Sequence, residues 1–365
     1  MGGKAFSQLL PRASFPRMSP SKYQSLKATY LPRLRGLYGL VEVPREAPEK
    51  TDHGDLDFIV AFPKEGLEHS EVKAALGASA SIPLDGNRTS HFAVPAEMGE
   101  DEYIQVDVHV CADKEEWERI VLFHSFGDLG MILGVLAKSG GLQLGTKGLK
   151  VHNIFPEENH PVSFPLSASF EKIMPYFGLS LDTWKQGFSS QKEIFQWVET
   201  SRFFEPRRLV KASTFETPNA KERSLEDRGM YQSFLVHVRE IASQQDVDTW
   251  PRLKTKAEIR DEALTYFDKK EAYERLVHDN WVKARVRATW NGNKVIEWTG
   301  LWGLRVRELM QEVERRVGGK EGIAGMEDGE IKKTALEAHE TLKRVWAAAA
   351  VGGIEVDGGV IQQAV

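Results

Sequence analysis

Gly54-Asp55-Leu56-Asp57-Phe58-Ile59-Val60-Ala61-Phe62 and, further along, Tyr103-Ile104-Gln105-Val106-Asp107-Val108-His109-Val110 are the two stretches on which the reading of this chain turns. The first is an apolar run rich in β-formers. The second alternates strictly, with Ile104, Val106, Val108 and Val110 on one face and Gln105, Asp107 and His109 on the other. Both read as strands. Alternation puts Asp55 and Asp57 on one face, about 7 Å apart along the backbone. It also sets Asp107 in mid-strand, opposite a face that must be core. If the two strands pair, three carboxylates converge.

Working outward, Val41-Glu42-Val43 reads as a short strand and Pro44–His53 as a charged loop. Residues 21–40 read as a basic amphipathic helix with Tyr23, Leu26, Tyr30, Leu34 and Leu37 at helical spacing and Pro32 as a kink point. A short helix is expected over 68–78. After Trp117–Phe123 the chain breaks at Ser125-Phe126-Gly127. An apolar helix then runs from Asp128 to Lys138 and stops at Gly140-Gly141, and residues 142–151 form a hairpin. Beyond about residue 165 strand signals thin out. Helical periodicity takes over near 191–200, 229–243, 256–288, 301–317 and 331–350. The clearest of these helices carries Leu301, Leu304, Leu309, Met310, Val313 and Val317 on one side. The expected organisation is an α+β domain over 1–165 with a basic N-terminal arm, a mainly helical domain over 166–350, and a flexible glycine-rich tail over 351–365.

Composition removes several alternatives. A chain of 365 residues suits two domains, and 41% hydrophobic with 28% charged residues is globular usage rather than that of a disordered chain. No run of eighteen apolar residues occurs, so no membrane partner is expected. The single cysteine, Cys111, excludes an internal disulfide framework and a multi-cysteine zinc site, and favours an intracellular setting, cytoplasm or nucleus. The histidines show no zinc-binding spacing. The glycines between Gly127 and Gly145 lack the strand–GxGxxG–helix context of a dinucleotide fold. Net charge is −5, yet Met1–Val41 contains no acid and seven bases. Such a start suits a mitochondrial transit peptide or an arm that faces phosphates.

The carboxylates carry the chemistry. Three clustered anions repel one another, and cations relieve that repulsion. Hard oxygen donors suit Mg²⁺ or Mn²⁺, and two such ions can serve both the attacking and the leaving oxygen of a phosphoryl displacement. From spacing alone the alternative stays open: a solvated turn at Asp55-Leu56-Asp57 and an ordinary wet strand face at Asp107.

The stretch from Val41 to Val151 resembles the catalytic core of the DNA polymerase β-like nucleotidyltransferase superfamily, and within it the family X polymerases. Gly54, Asp55 and Asp57 match its Gly-Asp-apolar-Asp strand entry, and Asp107 matches the third aspartate of a later alternating strand. Leu122-Phe123-His124-Ser125-Phe126-Gly127-Asp128 is similar to the aromatic, glycine-broken segment that opens the next helix, and Lys138–Val151 to the two-stranded element after it. The resemblance implies a palm-like mixed sheet. In it Asp55 and Asp57 would ligate two Mg²⁺ or Mn²⁺ ions, and Asp107 would ligate the catalytic ion and help deprotonate the attacking hydroxyl. Phe123, Ser125, Gly127 and Asp128 would border the sugar and base of an NTP or dNTP.

One departure stands out. Where the superfamily places a Gly-Ser that cradles the triphosphate, this chain has Pro44-Arg45, and proline has no amide hydrogen to offer. Either Arg45 and Lys50 replace amide dipoles with charge, or Gly2-Gly3-Lys4 folds back as the cradle. The opening Gly2-Gly3-Lys4-Ala5 is similar to the start of related viral and fungal nucleotidyltransferase-like sequences. Lys138 and Lys147 are further candidates for phosphate contact, and His53 and His109 for proton handling or substrate contact. Arg202, Arg207, Arg208 and Lys211 form one basic cluster; Lys283, Arg285 and Arg287 lie among Trp281, Trp290, Trp298 and Trp302. Cations interleaved with aromatics suit a single- or double-stranded nucleic acid, although the same pattern fits a solvated helix face over a tryptophan-rich core. The expected activity is transfer of a nucleoside monophosphate to a nucleic-acid 3′-hydroxyl with release of pyrophosphate. Transfer to a small molecule or a protein, and a degenerate binding module, are the alternatives.

Overall fold

Ser19 accepts the Lys22 amide and Pro20 opens helix α1 (Pro20–Arg35), which buries Tyr23, Leu26, Tyr30 and Leu34 at the expected spacing. Pro32 lies inside the helix without ending it. The helix stops short of residue 40 because Tyr38–Glu42 is strand β1, paired antiparallel with Ile59–Pro63. The chain continues through β2 (Asp55–Pro63), α2 (His69–Leu76), β3 (Ala80–Pro83), β4 (Thr89–Pro95) and β5 (Tyr103–Val110). This is a computed structural model that describes residues 4–83, 88–96, 101–158, 160–213, 228–244 and 254–352.

The protein is α+β. Its main sheet has the order β1-β2-β5-β4-β3; β2 and β5 run parallel, and every other pair is antiparallel. One face carries Leu56, Phe58, Val60, Phe92, Val94, Ile104, Val106 and Val108, packed with the α1 residues Tyr23, Leu26, Tyr30 and Leu34 and the α2 residues Val72 and Leu76. The other face is apolar only at the far end of β2. There Ile59 and Ala61 meet Cys111 and Ile120, the latter from α3 (Lys114–His124). β3 and β4 were not expected from the sequence.

Helix α4 (Leu129–Ser139) ends at Gly140-Gly141, with Gly141 at φ +80°, and leads into a second sheet of β6 (Leu142–Gly145), β7 (Gly148–Val151) and β8 (Phe164–Ser167). Four helices follow, α5 (Phe170–Phe177), α6 (Leu181–Gln186), α7 (Gln191–Glu199) and α8 (Pro206–Ser213), and then helices Gly229–Gln244 and Lys256–Tyr266.

The change of character expected near residue 165 is present, since the last described strand ends at Ser167, but it is not where the chain divides. The two compact units are Met1–Lys269 and Lys270–Val365. α5 packs on β7 and β8, and α8 and helix 229–244 pack on α4, so the first helices after the strands complete the sheet-bearing unit.

The second unit is helical, built from Lys270–Thr289, Gly292–Thr299, Leu304–Val317, Lys320–Gly325 and Asp328–Gly352 around Trp290, Val295, Leu309, Val313, Ile323, Ile331 and Ala335. The expected stripe over 301–317 is corrected at one end. Leu304 starts its helix 76% exposed, and Val306 takes the inward place beside Leu309 and Val313. Of the expected tail, residues 353–365 lie outside the described residues. No single helix among the described residues is long and apolar enough to cross a membrane.

Candidate active site

The register of β2 against β5 decides the site. Asp55 lies beside Gln105 and Asp57 beside Asp107, Cα partners on adjacent parallel strands. Because alternate residues share a face, both β2 aspartates and Asp107 stand on the face opposite the main core. The row continues into β4, where His91 is the Cα partner of Asp107. His91 Nδ1 lies 2.7 Å from Asp107 Oδ1, and Gln105 Nε2 donates to both Asp107 oxygens at 2.9 and 3.0 Å. Asp107 is thus held in place by its neighbours on the sheet. His91 joins the site because TSHFAVP (89–95) forms β4, a strand that no alternation of apolar residues marks in the sequence.

Asp55 and Asp57 stand in a cleft of about 500 Å³, walled by the Pro44–Asp52 loop, Arg17, and the start of helix 229–244. Six carboxylates line it (Glu46, Glu49, Asp52, Asp55, Asp57 and Asp128) against the four cations Arg17, Arg45, Lys50 and Arg228, two more acids than bases. Three of those cations are engaged. Arg17 pairs with Asp52 at 2.6 Å and Arg228 with Asp128 at 3.0 Å. Arg45 stacks 5.0 Å from the Trp184 ring and donates through one terminal nitrogen to the carbonyls of Trp184 and Lys185. Lys50 makes no described hydrogen bond or ion pair and is the free positive charge of the cleft among the described residues.

A second cavity, about 260 Å³, is lined by Asp107, His109, Thr89 and Thr146 and shares Asp57 and His124 with the first. His109 bonds Thr89 Oγ1 through Nδ1 at 2.7 Å, and its buried Nε2 has no partner. Burial and the neighbouring His109 lower the His124 pKa.

The other expected nucleotide contacts divide. Arg45, Lys50, Gly127 and Asp128 line the cleft. Gly127 sits at φ +65°, where a Cβ would come within 2.9 Å of the Ala47 Cβ, so glycine lets the 44–53 loop close over it. Asp128 accepts from the Tyr231 amide as well as from Arg228, which ties it to helix 229–244. Ser125 is a correction: it is fully buried, donates to the Val121 carbonyl and accepts the Arg45 amide, so its hydroxyl staples loop to helix. Phe123 likewise turns from the cleft, its ring 6.3 Å from Phe170. The turn of α3 brings His124 to the cleft in their place.

Gly54 immediately precedes β2. Lys4 opens a 3-10 turn, and Gly2 and Gly3 lie outside the described residues. The arm between is folded back beside the site, with Phe6 buried, Ser14 bridging Glu102, and Met18 bridging His53. His53 is itself core-like, 2% exposed and stacked 3.8 Å from Tyr23.

None of the nucleic-acid candidates Lys138, Lys147, Arg207, Arg208, Lys283, Arg285 and Arg287 lines the cleft. Lys147 is exposed at the β6–β7 turn, and Arg208 donates to the Lys254 carbonyl. In the second unit Arg285 pairs with Asp328, while Lys283 and Arg287 are exposed four residues apart on one helix. The tryptophans split: Trp290 and Trp298 belong to the core, whereas Trp281 and Trp302 are 50% and 75% exposed.

The electrostatics mark the trio as short of positive charge. Partial loss of hydration, and repulsion from Asp55 and Asp107, push the Asp57 carboxyl up to about 8. Loss of water and Asp107 raise Asp55. Hydrogen bonding to Asp107 raises His91. Hard carboxylate donors with an uncompensated negative balance fit divalent cations. Among the described residues, however, no three His, Cys, Asp or Glu side chains stand ready to hold an ion, and Asp107 is engaged by Gln105 and His91. Neither a family model nor a curated protein matches the chain.

Proposed function

We propose that this protein is a metal-dependent nucleotidyltransferase with a palm-like catalytic sheet. It transfers a nucleoside monophosphate from an NTP or dNTP to a hydroxyl, with a nucleic-acid 3′ end as the acceptor. The observation that carries the reading is the side-by-side placement of Asp57 and Asp107 on parallel neighbouring strands, with Asp55 two residues away on the same face. The charge balance of the cleft supports it. Two more acids than bases repel a bare triphosphate, whereas a triphosphate that arrives with divalent cations is attracted.

Each residue then has a task. Asp55, Asp57 and Asp107 are the residues that would hold two Mg²⁺ or Mn²⁺ ions. When bound, those ions supply charge to the attacking and leaving oxygens. Asp107 accepts the proton of the acceptor hydroxyl at its carboxylate, and His91 and Gln105 orient it beforehand. Lys50 meets the phosphates without first giving up a partner, and Arg17 and Arg45 line the same wall. Positioning and charge stabilisation are most of what a phosphoryl transfer requires of a protein.

The test is incubation with labelled NTPs and Mg²⁺ in the presence of RNA, of DNA, or of no nucleic acid. Extension of an oligonucleotide supports the reading. Label on the protein or on a small product, with none on oligonucleotides, moves the acceptor to another class. A second reading, a nucleotide-binding module without turnover, is favoured by the hydrogen bonds that already satisfy Asp107. It predicts NTP binding that is indifferent to Mg²⁺ and no pyrophosphate release.

A further inference from the structure

The two cavities that share Asp57 and His124 differ in what their walls offer. The larger has Arg17, Arg45, Lys50 and Arg228, which give phosphates partners there. The smaller, about 260 Å³, has no lysine or arginine among its described lining residues. Its charged groups are Asp57 and Asp107, which repel phosphate, and Asp107 lines this cavity and not the larger one. The rest of its polar lining is neutral and short of partners. His109 and Thr89 are Cα partners on β5 and β4, and His109 Nδ1 lies 2.7 Å from Thr89 Oγ1. That bond uses one ring nitrogen and leaves the buried Nε2 with no partner among the described residues. The Thr146 side chain, at the β6–β7 turn, and the His124 ring, at the end of α3, make no described hydrogen bond. Polar groups left so beside a cavity gain free energy from a ligand that hydrogen-bonds to them.

Resting on the nucleotidyltransferase reading, in which Asp107 takes the proton of the attacking hydroxyl, we propose that this cavity holds the acceptor's terminal sugar. We propose further that it selects a ribose, so that the acceptor is an RNA end. A sugar seated there has its 3′-hydroxyl at Asp107. In a ribose the 2′-hydroxyl is next to that group on the same face of the ring. It both donates and accepts, so it can pair with the Thr146 hydroxyl and with His109 in either tautomer. A deoxyribose leaves those groups unpaired, and a site built to bond a hydroxyl discriminates against the analogue that lacks it. The volume falls short of pockets that enclose a drug-sized ligand, and it suits one sugar ring with base and phosphates outside.

The test uses single-stranded DNA oligonucleotides, labelled at the 5′ end and identical except for the 3′-terminal sugar: ribose, 2′-deoxyribose or 2′-O-methylribose. Binding to the full-length protein in Mg²⁺ without NTP is followed by fluorescence anisotropy, and extension with NTP is followed in parallel. The ribose end binds about tenfold more tightly than the deoxyribose end. The 2′-O-methyl end, bulkier and without a hydrogen to donate, binds no better than deoxyribose. Thr146→Val and His109→Phe each bring the ribose-to-deoxyribose ratio down to about threefold or less, and either variant suffices if the other does not fold. Equal binding of ribose and deoxyribose ends, a 2′-O-methyl end bound as tightly as ribose, or a ratio that neither substitution changes overturns the proposal. Because the ratio is read from binding, it is judged apart from turnover. A ribose preference without extension keeps this site and removes nucleotidyl transfer, whereas extension without a preference keeps the transfer and removes this site.

Discussion

The two faces of the five-stranded sheet are built from the same strands and could hardly differ more. On one, Leu56, Phe58, Val60, Val106 and Val108 are at most 1% exposed beneath α1 and α2. On the other, before the apolar patch at Ile59, stand Asp55, Asp57, Asp107 and His109, which line two cavities, and Gln105, which reaches His91 and Asp107. A period of two lets one strand pair serve both purposes: the closed face supplies the hydrophobic stabilisation that holds the open face's repelling charges at fixed spacing. Stability and chemistry are therefore separable by alternate residues. Single substitutions one position apart should fail in different ways.

The largest effect is expected on the open face. Asp57→Asn or Asp107→Asn lowers nucleotidyl transfer by about a thousandfold, roughly 4 kcal/mol of barrier, while the circular dichroism of the folded protein stays that of wild type. Unaltered turnover in either variant would remove the metal assignment.

One position along, Leu56→Ala hollows out a fully buried site. It should cost about 3 kcal/mol of unfolding free energy in denaturant titrations and leave the Mg²⁺ affinity of the folded protein alone. A change in Mg²⁺ affinity as large as the change in stability would mean that the faces are coupled.

A third difference concerns pH. Asp57 titrates at about 8 in the fold and at 3.8 when unperturbed. Between those values the folded state holds the extra proton, so stability falls as pH rises through the window. Because water reaches the residue and screens its charge, the loss amounts to about 1–2 kcal/mol. Asp57→Asn should flatten that slope in melts made in EDTA, and saturating Mg²⁺ should flatten it in the wild type. A slope that persists in the Asn variant would place the titration elsewhere.

The smallest effect belongs to the cleft wall. Lys50→Ala should weaken binding of the NTP–Mg²⁺ complex about tenfold, near 1.4 kcal/mol, with no change in melting. Arg17→Ala should do less, because Arg17 is already paired with Asp52.

Much of this was legible in the sequence, because local periodicity dictated it. The alternation of 103–110, the apolar run after Asp55, the buried stripe of α1 and the glycine stop after α4 were each readable, and each stands. β3 and β4 escaped since their runs are short, and with them went His91, whose partner lies sixteen positions away. Phe123, Ser125 and His124 are adjacent in sequence, and no pattern of spacing reveals which of them reaches the cleft. That depends on how the end of α3 turns and on the Arg45 backbone that Ser125 holds.

What the sequence alone determined is which side each strand residue takes, because side-chain direction follows from backbone alternation within a few residues. Tertiary structure decided that β2 and β5 run parallel in the register that pairs Asp57 with Asp107, that α5 to α8 complete the first unit, and that Lys50 alone of the described cleft cations is unpaired. Pairing and packing join residues distant along the chain, and the free energy that selects one register comes from the whole buried face rather than from any short stretch of it.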